Sequence, residues 1–223
     1  MATDVDVQFF SHLNGLTLSN NWGDLIRLLD TCLVNGLPLT SITSASIDAQ
    51  GDITLNLYAA HNCMLFQIIE LTGFAPSELN GKYRIKGAPS ATQLILKATH
   101  VAKSITTIGS AKLASLGYDI IFRDIGDVKR VYRAKNPRTE HPFIRVDESL
   151  SSDGGGTYTS PYAKYAMVGL LENMTHIDDF QNPNVVQLPF DSADPAKNWK
   201  IIGTGTGVVR GWSKWYWARA GNA

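Results

Sequence analysis

The chain has 223 residues, of which 44% are hydrophobic and 18% are charged. This composition supplies enough apolar surface for a core, which excludes a chain that is disordered throughout. Lysine and arginine together number 20 and equal the 20 aspartates and glutamates, so the formal net charge is zero. No overall electrostatic field therefore attracts nucleic acid or an anionic membrane. A charged partner has to be bound by a local patch of opposite charge.

Cys32 and Cys63 are the two cysteines of the sequence. They are too few for a disulfide scaffold, and we expect both to be reduced and buried. The first residues lack a basic segment followed by an apolar one, and no apolar run reaches the length of about 18 residues that a membrane helix needs. We therefore expect neither a signal peptide nor a membrane span, and synthesis in the cytoplasm.

The first predicted element is a helix from about Trp22 to Val34. Its apolar residues recur at spacings of three and four, which places them on one face. Asn21 is the expected N-cap, and Asn35-Gly36 before Pro38 is the expected C-terminal stop. We expect the apolar face to pack on strands and to bury Leu29.

After Pro38 the hydrophobic period changes to two, which is typical of strands separated by turns. The spacing of the turn residues favours a small barrel or sandwich. Strands are predicted around Ile42 and Ile47 and at Ile53–Leu57, Met64–Leu71, Tyr83–Lys86, Gln93–Lys97, Ser104–Ile108, Tyr118–Arg123, Val128–Arg133, Phe143–Val146 and Tyr162–Leu171.

The last third of the chain contains more irregular sequence. Ser149–Thr159 has the composition of a long exposed loop, and Val186–Asn198 is predicted to be irregular because it contains Pro189 and Pro195. Trp199–Ile202 and Val208–Trp217 are predicted to form a closing hairpin.

These patterns predict an α+β fold that is mostly β. One N-terminal helix packs on antiparallel strands, and a small β-barrel or sandwich domain is inserted. Because the period changes abruptly at Pro38, we expect residues 1–37 and 102–223 to form one discontinuous α+β domain, with 38–101 as the inserted all-β domain.

Motifs for catalysis are not found in the sequence. The glycine-rich run Gly203–Gly207 lacks the spacing of a dinucleotide loop and is not followed by a predicted helix, so a turn between strands is the preferred interpretation. The five histidines are scattered and do not form a zinc-binding or serine-hydrolase motif. We expect no enzymatic activity, no catalytic residue, no bound metal and no cofactor.

Acidic residues occur in close pairs, and such pairs are found in two kinds of functional site, a cation site and a hydrolytic carboxylate pair. Solvated turns are the preferred interpretation. The pairs are Asp124/Asp127, Asp147/Glu148, Asp178/Asp179 and Asp191/Asp194.

A basic run lies between residues 129 and 138. Lys129, Arg130 and Arg133 are candidates for contact with an acidic neighbouring subunit, and contact with a phosphate backbone is the weaker alternative. The ordinary interpretation of such a run is a solvated strand face.

The C-terminal segment is rich in aromatic residues. In a strand, Trp212 and Tyr216 lie on one face and Trp215 and Trp217 on the other. Aromatic residues are common at protein interfaces, so Trp212 and Tyr216 are predicted to contact a neighbouring subunit. Stacking on a sugar or a base is the alternative.

Several of these segments together carry a resemblance to a known family. The most specific match is the helix that runs from Asn21 to Gly36, with its Leu-Leu-Asp centre and its Cys-Leu-Val-Asn-Gly end. The other matching segments are Leu39–Lys97 with its Leu79–Ile85 motif, Gly117-Tyr118, Val131–Arg133, Phe143–Glu148, Ala163–Gly169, Met174–Asp178 and Trp199–Gly203. Together they resemble an uncharacterised family of virion structural proteins from tailed bacteriophages of Gram-negative hosts.

The resemblance implies a structural protein of the phage tail or baseplate, or of the neck. Its implied partners are other virion proteins and copies of itself, and its implied location is the virion, assembled in the host cytoplasm. We expect no membrane partner, and a nucleic acid is a disfavoured partner because the net charge is zero. A receptor- or carbohydrate-binding module on the same particle, in contact with a host glycan, is the alternative.

Overall fold

The computed structural model describes residues 5, 7–19, 21–135, 143–149, 165–171, 173–179, 185–189 and 200–204. Over these residues the protein is mostly β, with one α-helix and antiparallel sheets, which confirms the predicted fold class. Among them, no helix is long and apolar enough to cross a membrane.

The strands are β1 (Val7–Ser11), β2 (Leu37–Pro38), β3 (Ile42–Ile47), β4 (Ile53–Leu57), β5 (Ile68–Thr72), β6 (Gly81–Ser90), β7 (Gln93–Lys97), β8 (Ser110–Leu113), β9 (Tyr118–Arg123), β10 (Lys129–Ala134), β11 (Phe143–Asp147), β12 (Tyr165–Leu171), β13 (Val185–Pro189) and β14 (Lys200–Thr204). They form a seven-stranded sheet in the order β2-β8-β5-β6-β7-β4-β3, a five-stranded sheet in the order β13-β12-β11-β10-β9, and a two-stranded sheet of β1 and β14.

The predicted helix is present as α1 (Asp24–Leu29), which continues into a π-helical segment at Asp30–Asn35. The expected stop is confirmed. Gly36 adopts φ +75°, and a Cβ there would lie 2.4 Å from the carbonyl oxygen of Leu113, so that glycine is required. The expected cap is wrong, because the residue that precedes α1 is Gly23 and Asn21 lies outside the first turn.

Helix α1 packs against the five-stranded sheet. Leu25, Ile26 and Leu29 are each at most 1% exposed, which confirms the predicted burial of Leu29. The hydroxyl of Tyr132, on β10, donates a 2.7 Å hydrogen bond to Asp30 just after the helix. One continuous apolar cluster contains side chains of α1 and of the seven- and five-stranded sheets.

Two predictions about strands are wrong, and one strand, β1, was not predicted. Ser104–Ile108 makes only an isolated bridge, from Thr107 to Ala75, and the strand lies later at β8, where Ala111 and Leu113 point inward. β13 overlaps the start of the segment Val186–Asn198, which was predicted to be irregular. Strand β14 pairs with β1 near the N-terminus, a strand that the hydrophobic pattern misses because its inward-facing positions include the polar Gln8.

The division of the chain into two domains stays a prediction. The seven-stranded sheet contains all the strands between residues 38 and 101, and it also takes in β8, whose residues pair with β5 on one side and β2 on the other.

Candidate assembly surface

Arg130 belongs to a buried ion-pair cluster. The residue is 3% exposed. Its guanidinium lies 2.6 Å from the carboxylate of Asp127, 3.2 Å from that of Asp30 and 3.7 Å from that of Asp124. Burial of the adjacent Tyr132 raises the pKa of its hydroxyl well above the usual range. The structure therefore assigns the Arg130 side chain to holding β10 against the end of α1.

The other two cations predicted on β10 also have partners within the chain. The Nζ atom of Lys129 lies 2.6 Å from the carboxylate of Asp178, and this hydrogen bond lowers the pKa of Asp178. Arg133 is exposed and places its guanidinium 5.4 Å from the ring centroid of Phe143. Contact of Lys129 or Arg133 with a neighbouring subunit stays a prediction.

Trp212 and Tyr216 lie outside the described residues. Their predicted role at an interface is therefore kept as a prediction. The same is true of the Asp191/Asp194 pair.

The interpretation of the acidic pairs as solvated turns is wrong for Asp147 and Glu148. They are 0% and 1% exposed. Asp147 accepts a 2.8 Å hydrogen bond from Arg145. Glu148 accepts hydrogen bonds from the backbone N–H groups of Gly23 and Leu25, and its burial raises its pKa to about 7.

The remaining described acidic pairs also serve the fold. Asp124 and Asp127 bind Arg130, Asp178 binds Lys129, and Asp179 accepts hydrogen bonds from Thr175. Within the described residues, no group of three or more His, Cys, Asp or Glu side chains is placed to hold a metal ion.

Cys32 and Cys63 are free and buried, as predicted. Burial raises the pKa of Cys63 to about 12, so its thiol is a poor nucleophile. His61 lies beside it and accepts a 2.9 Å hydrogen bond from the backbone N–H of Cys63. This group stabilises a turn.

The surface feature that stands out is the loop between β4 and β5, residues 58–67, which we call the 58–67 loop. It exposes three large side chains: Tyr58 is 78% exposed, Leu65 is 47% exposed and Phe66 is 62% exposed. Leu13, which is 59% exposed, lies on a turn that is hydrogen-bonded to the same loop. Exposed apolar residues on neighbouring loops are typical of a contact surface.

A buried glutamine holds this loop in place. Gln67 is fully buried, and its side-chain amide donates to the carbonyl of Phe9 at 2.8 Å and to Asn14 at 2.9 Å. Its side-chain oxygen accepts hydrogen bonds from the backbone of Met64 and from Asn14. Since all the hydrogen-bonding capacity of this amide is used, the loop is anchored to β1 and the turn that follows it.

Phe66 has a strained backbone that is fixed on both sides. Its φ is +70°, a left-handed conformation that costs a residue with a side chain about 1 to 2 kcal/mol. Its N–H donates to the carbonyl of Ile85 at 3.1 Å, and its carbonyl accepts a 2.6 Å hydrogen bond from Arg84. Strain that the surroundings maintain is common at functional positions.

A basic surface lies next to Phe66, on the outward side of the seven-stranded sheet. We call it the basic face and define it as Lys82, Arg84 and Lys86 on β6, Lys97 on β7 and Lys112 on β8. The first three alternate with Tyr83 and Ile85, which are buried. Lys97 is directly opposite Arg84 in the register of the two strands.

Sequence reasoning missed both the exposed loop and the basic face. The available signal for the basic face was the alternation of Lys82, Arg84 and Lys86 with inward-facing residues, which predicts three cations on one side of a strand. No corresponding signal marks Phe66, because Leu65 and Phe66 lie within an apolar segment that the pattern assigns to a buried strand.

Comparison with known proteins found no match to a family model, to a curated protein or to a solved structure.

Proposed function

We propose that the protein is a structural component of a tailed bacteriophage virion, in the tail or baseplate or in the neck. It acts through protein–protein contacts with other virion proteins and with copies of itself. The phage setting rests on the resemblance of the sequence segments described above. The mode of action rests on the surface.

The observation that carries the mode of action is the rigid presentation of Leu65 and Phe66. Exposure of these two side chains to water is unfavourable, and it costs about 25 cal/mol for each Å² of apolar surface. Gln67 and Arg84 nevertheless hold the loop in this position. A preorganised apolar loop binds a partner without a large loss of conformational entropy, which is the requirement of a stable assembly contact.

The experiment compares purified particles of the phage that encodes the chain, made with the wild-type protein and with Phe66→Asp. Aspartate tolerates the left-handed conformation and removes the apolar ring. We expect wild-type protein in the tail or neck fraction by mass spectrometry, and at least a tenfold loss of the variant from the particle, since an aromatic anchor commonly contributes about 2 kcal/mol.

Ile125→Asp is the matched control, because Ile125 is an exposed apolar residue in the turn between β9 and β10. It should enter particles normally. Trp212→Ala and Tyr216→Ala are predicted to fold and to be excluded from particles. Absence of wild-type protein from purified virions would contradict the proposed function, and normal incorporation of Phe66→Asp would contradict the role of the loop.

A receptor- or carbohydrate-binding module is the second candidate, and Tyr58 is the observation that favours it. The residue is 78% exposed, so its aromatic ring is accessible for stacking on a sugar. A glycan array with the isolated protein separates the two functions. Binding that Tyr58→Ala abolishes and Phe66→Asp does not would favour the receptor-binding function.

A further inference from the structure

Strand β3 ends the seven-stranded sheet. It pairs with β4 on one side, and none of the described strands lies on its other side. Edge strands are commonly protected by a proline or a charged residue, because an unpaired edge favours pairing with another chain. The other end strands of the two larger sheets follow this rule, since β2 contains Pro38, β9 contains Asp119 and β13 contains Pro189. Strand β3 contains neither kind of residue.

The backbone groups of Ala45 and Ile47 point away from β4. The N–H of Asp48, just after β3, donates to the carbonyl of Asp52 at 3.0 Å. Hydrogen-bonded and non-hydrogen-bonded residue pairs alternate along an antiparallel pair of strands. Ser46 is therefore the next residue of β3 whose backbone bonds to β4, and its two neighbours direct their N–H and C=O groups to the open edge. Each of them offers a donor and an acceptor to a further strand.

Side chains on the outer face fix β3 to β4. The hydroxyl of Thr43 donates to the carbonyl of Asn56 at 3.1 Å, and the side-chain amide of Asn56 donates to the hydroxyl of Ser44 at 2.8 Å. The 58–67 loop begins beside this strand, because the N–H of Tyr58 donates to the carbonyl of Ser41 at 2.9 Å. The edge is therefore preorganised, and it adjoins the candidate assembly surface.

The apolar core extends to this edge and is incompletely covered there. Ile42, Ala45 and Ile47 pack against the core cluster but are only half-buried. On the neighbouring strand β4, Ile53 and Leu55 are 0% exposed. A strand added beyond β3 would cover the half-buried row as β3 covers β4, and cross-strand apolar pairs stabilise a sheet.

We propose that β3 pairs in antiparallel orientation with β3 of a second copy of the chain, so that the two seven-stranded sheets become continuous across a two-fold axis beside Ser46. This register places Ala45 opposite Ile47 of the second copy, and the symmetry repeats that pair. The exposed backbone groups of both residues are then hydrogen-bonded. The apolar rows of the two copies lie on the same face of the joined sheet, and Ser46 lies opposite Ser46 of the second copy in a non-hydrogen-bonded pair.

Charge favours a second copy as the occupant of this edge. Residues 39–47 carry no charge, so two identical strands meet without like-charge repulsion, and a charged strand would find no opposite charge on β3. The carboxylate of Asp48 accepts hydrogen bonds from the N–H groups of Gln50 and Asp52 within its own turn. Two copies with a formal net charge of zero also do not repel each other at long range. The proposal deepens the proposed function, because it names one contact between copies.

Cysteine cross-linking of the full chain tests the register. Ser46→Cys places two thiols opposite each other at a Cα separation of about 4.5 Å, which a disulfide spans. Ser44→Cys is the matched control, because Ser44 is also exposed on β3, but its two copies would be about 14 Å apart at roughly 3.4 Å for each residue along the strand. Cys32 and Cys63 are buried and do not compete. With oxidised glutathione we expect at least tenfold more disulfide-linked dimer from Ser46→Cys, measured on non-reducing gels.

A charge at the axis tests the same contact without a cross-link. Ser46→Lys places two like charges directly opposite each other, so it should weaken self-association about fivefold or more in sedimentation velocity. Ser104→Lys makes the same change at an exposed position before β8 and should leave self-association of the chain within about twofold of wild type. Both variants should unfold in urea like wild type, because neither side chain lies in the core.

Three results would overturn the proposal: a wild-type chain that stays monomeric, equal cross-linking of the two cysteine variants, or more dimer from Ser44→Cys than from Ser46→Cys. All three are measured on the isolated chain, whereas the proposed function is tested by the presence of the chain in purified virions. A monomeric chain that enters particles would contradict this contact and leave the proposed function intact. A dimeric chain that is absent from virions would contradict the proposed function alone.

Discussion

The carboxylate of Glu148 accepts a 2.6 Å hydrogen bond from the backbone N–H of Gly23, which directly precedes helix α1. A second hydrogen bond, of 3.2 Å, comes from the N–H of Leu25. The first N–H groups of a helix have no partner within it, so a residue that follows β11 supplies the cap that the local sequence does not. The start of the helix and the five-stranded sheet are thereby connected.

This cap predicts a specific dependence of stability on pH. Burial raises the pKa of Glu148 to about 7 in the folded chain, above the value of about 4.5 expected when unfolded. The folded state therefore binds the proton more strongly, and stability contributed by protonation is present below pH 4.5 and lost as pH rises through about 7. The free energy of unfolding of wild type relative to Glu148→Gln should fall by about 3 kcal/mol between acidic and mildly alkaline pH.

Urea unfolding at a series of pH values measures this difference. Glu78→Gln is the matched control, because Glu78 lies on the surface beside Lys103 and its pKa is lowered. Its difference from wild type should have the opposite sign of slope. A difference for Glu148→Gln that does not change with pH would show that the buried carboxyl does not titrate in this range.

The apolar face of α1 is predicted to contribute strongly to stability. Leu29→Ala removes a side chain that is 1% exposed and should cost roughly 2 to 5 kcal/mol in chemical denaturation, because it leaves a cavity. Leu13→Ala, at a position that is 59% exposed, should cost less than about 0.5 kcal/mol. Equal effects of the two substitutions would contradict the packing of the helix.

Arg130 and Arg133 are predicted to differ although both lie on β10. Arg130→Gln leaves Asp30 and Asp124 without their buried cation and should cost about 3 kcal/mol of unfolding free energy. Arg133→Gln removes an exposed contact with Phe143 and should cost less than about 1 kcal/mol. A surface role for Arg130 would instead predict two small, similar losses in thermal denaturation.

Phe66→Gly should leave the stability of the fold almost unchanged, although it removes the aromatic ring that is proposed to contact a partner. Glycine relieves a left-handed strain of about 1 to 2 kcal/mol, and the larger entropy of its unfolded chain offsets about 0.5 to 1 kcal/mol of that gain. The free energy of unfolding should therefore stay within about 1 kcal/mol of wild type.

Phe74→Ala provides the contrast for this substitution. Phe74 is 4% exposed, so the change should cost about 3 to 5 kcal/mol. A loss of several kcal/mol for Phe66→Gly would indicate that the ring packs within the fold instead of facing a partner.

The sequence by itself determined the features that depend on local periodicity. The apolar spacing from Leu25 to Leu33 predicted the helix and its buried face, and Gly36 predicted its end. Alternation predicted several strands closely, including β7 and β9, because each buries one side of a pleated segment. The mostly β fold class follows from these elements.

Only the tertiary structure decided which residues meet across long separations. Glu148 caps a helix that begins more than a hundred residues earlier, and Arg130 pairs with Asp30 across a similar separation, so neither relation has a local pattern. The exposure of Phe66 depends on hydrogen bonds from Arg84 and to Ile85, since nothing in its neighbouring residues requires a left-handed turn. Local sequence determines which backbone conformations are low in energy. The pairing of distant segments determines which polar groups are hydrogen-bonded and which apolar side chains remain exposed to water.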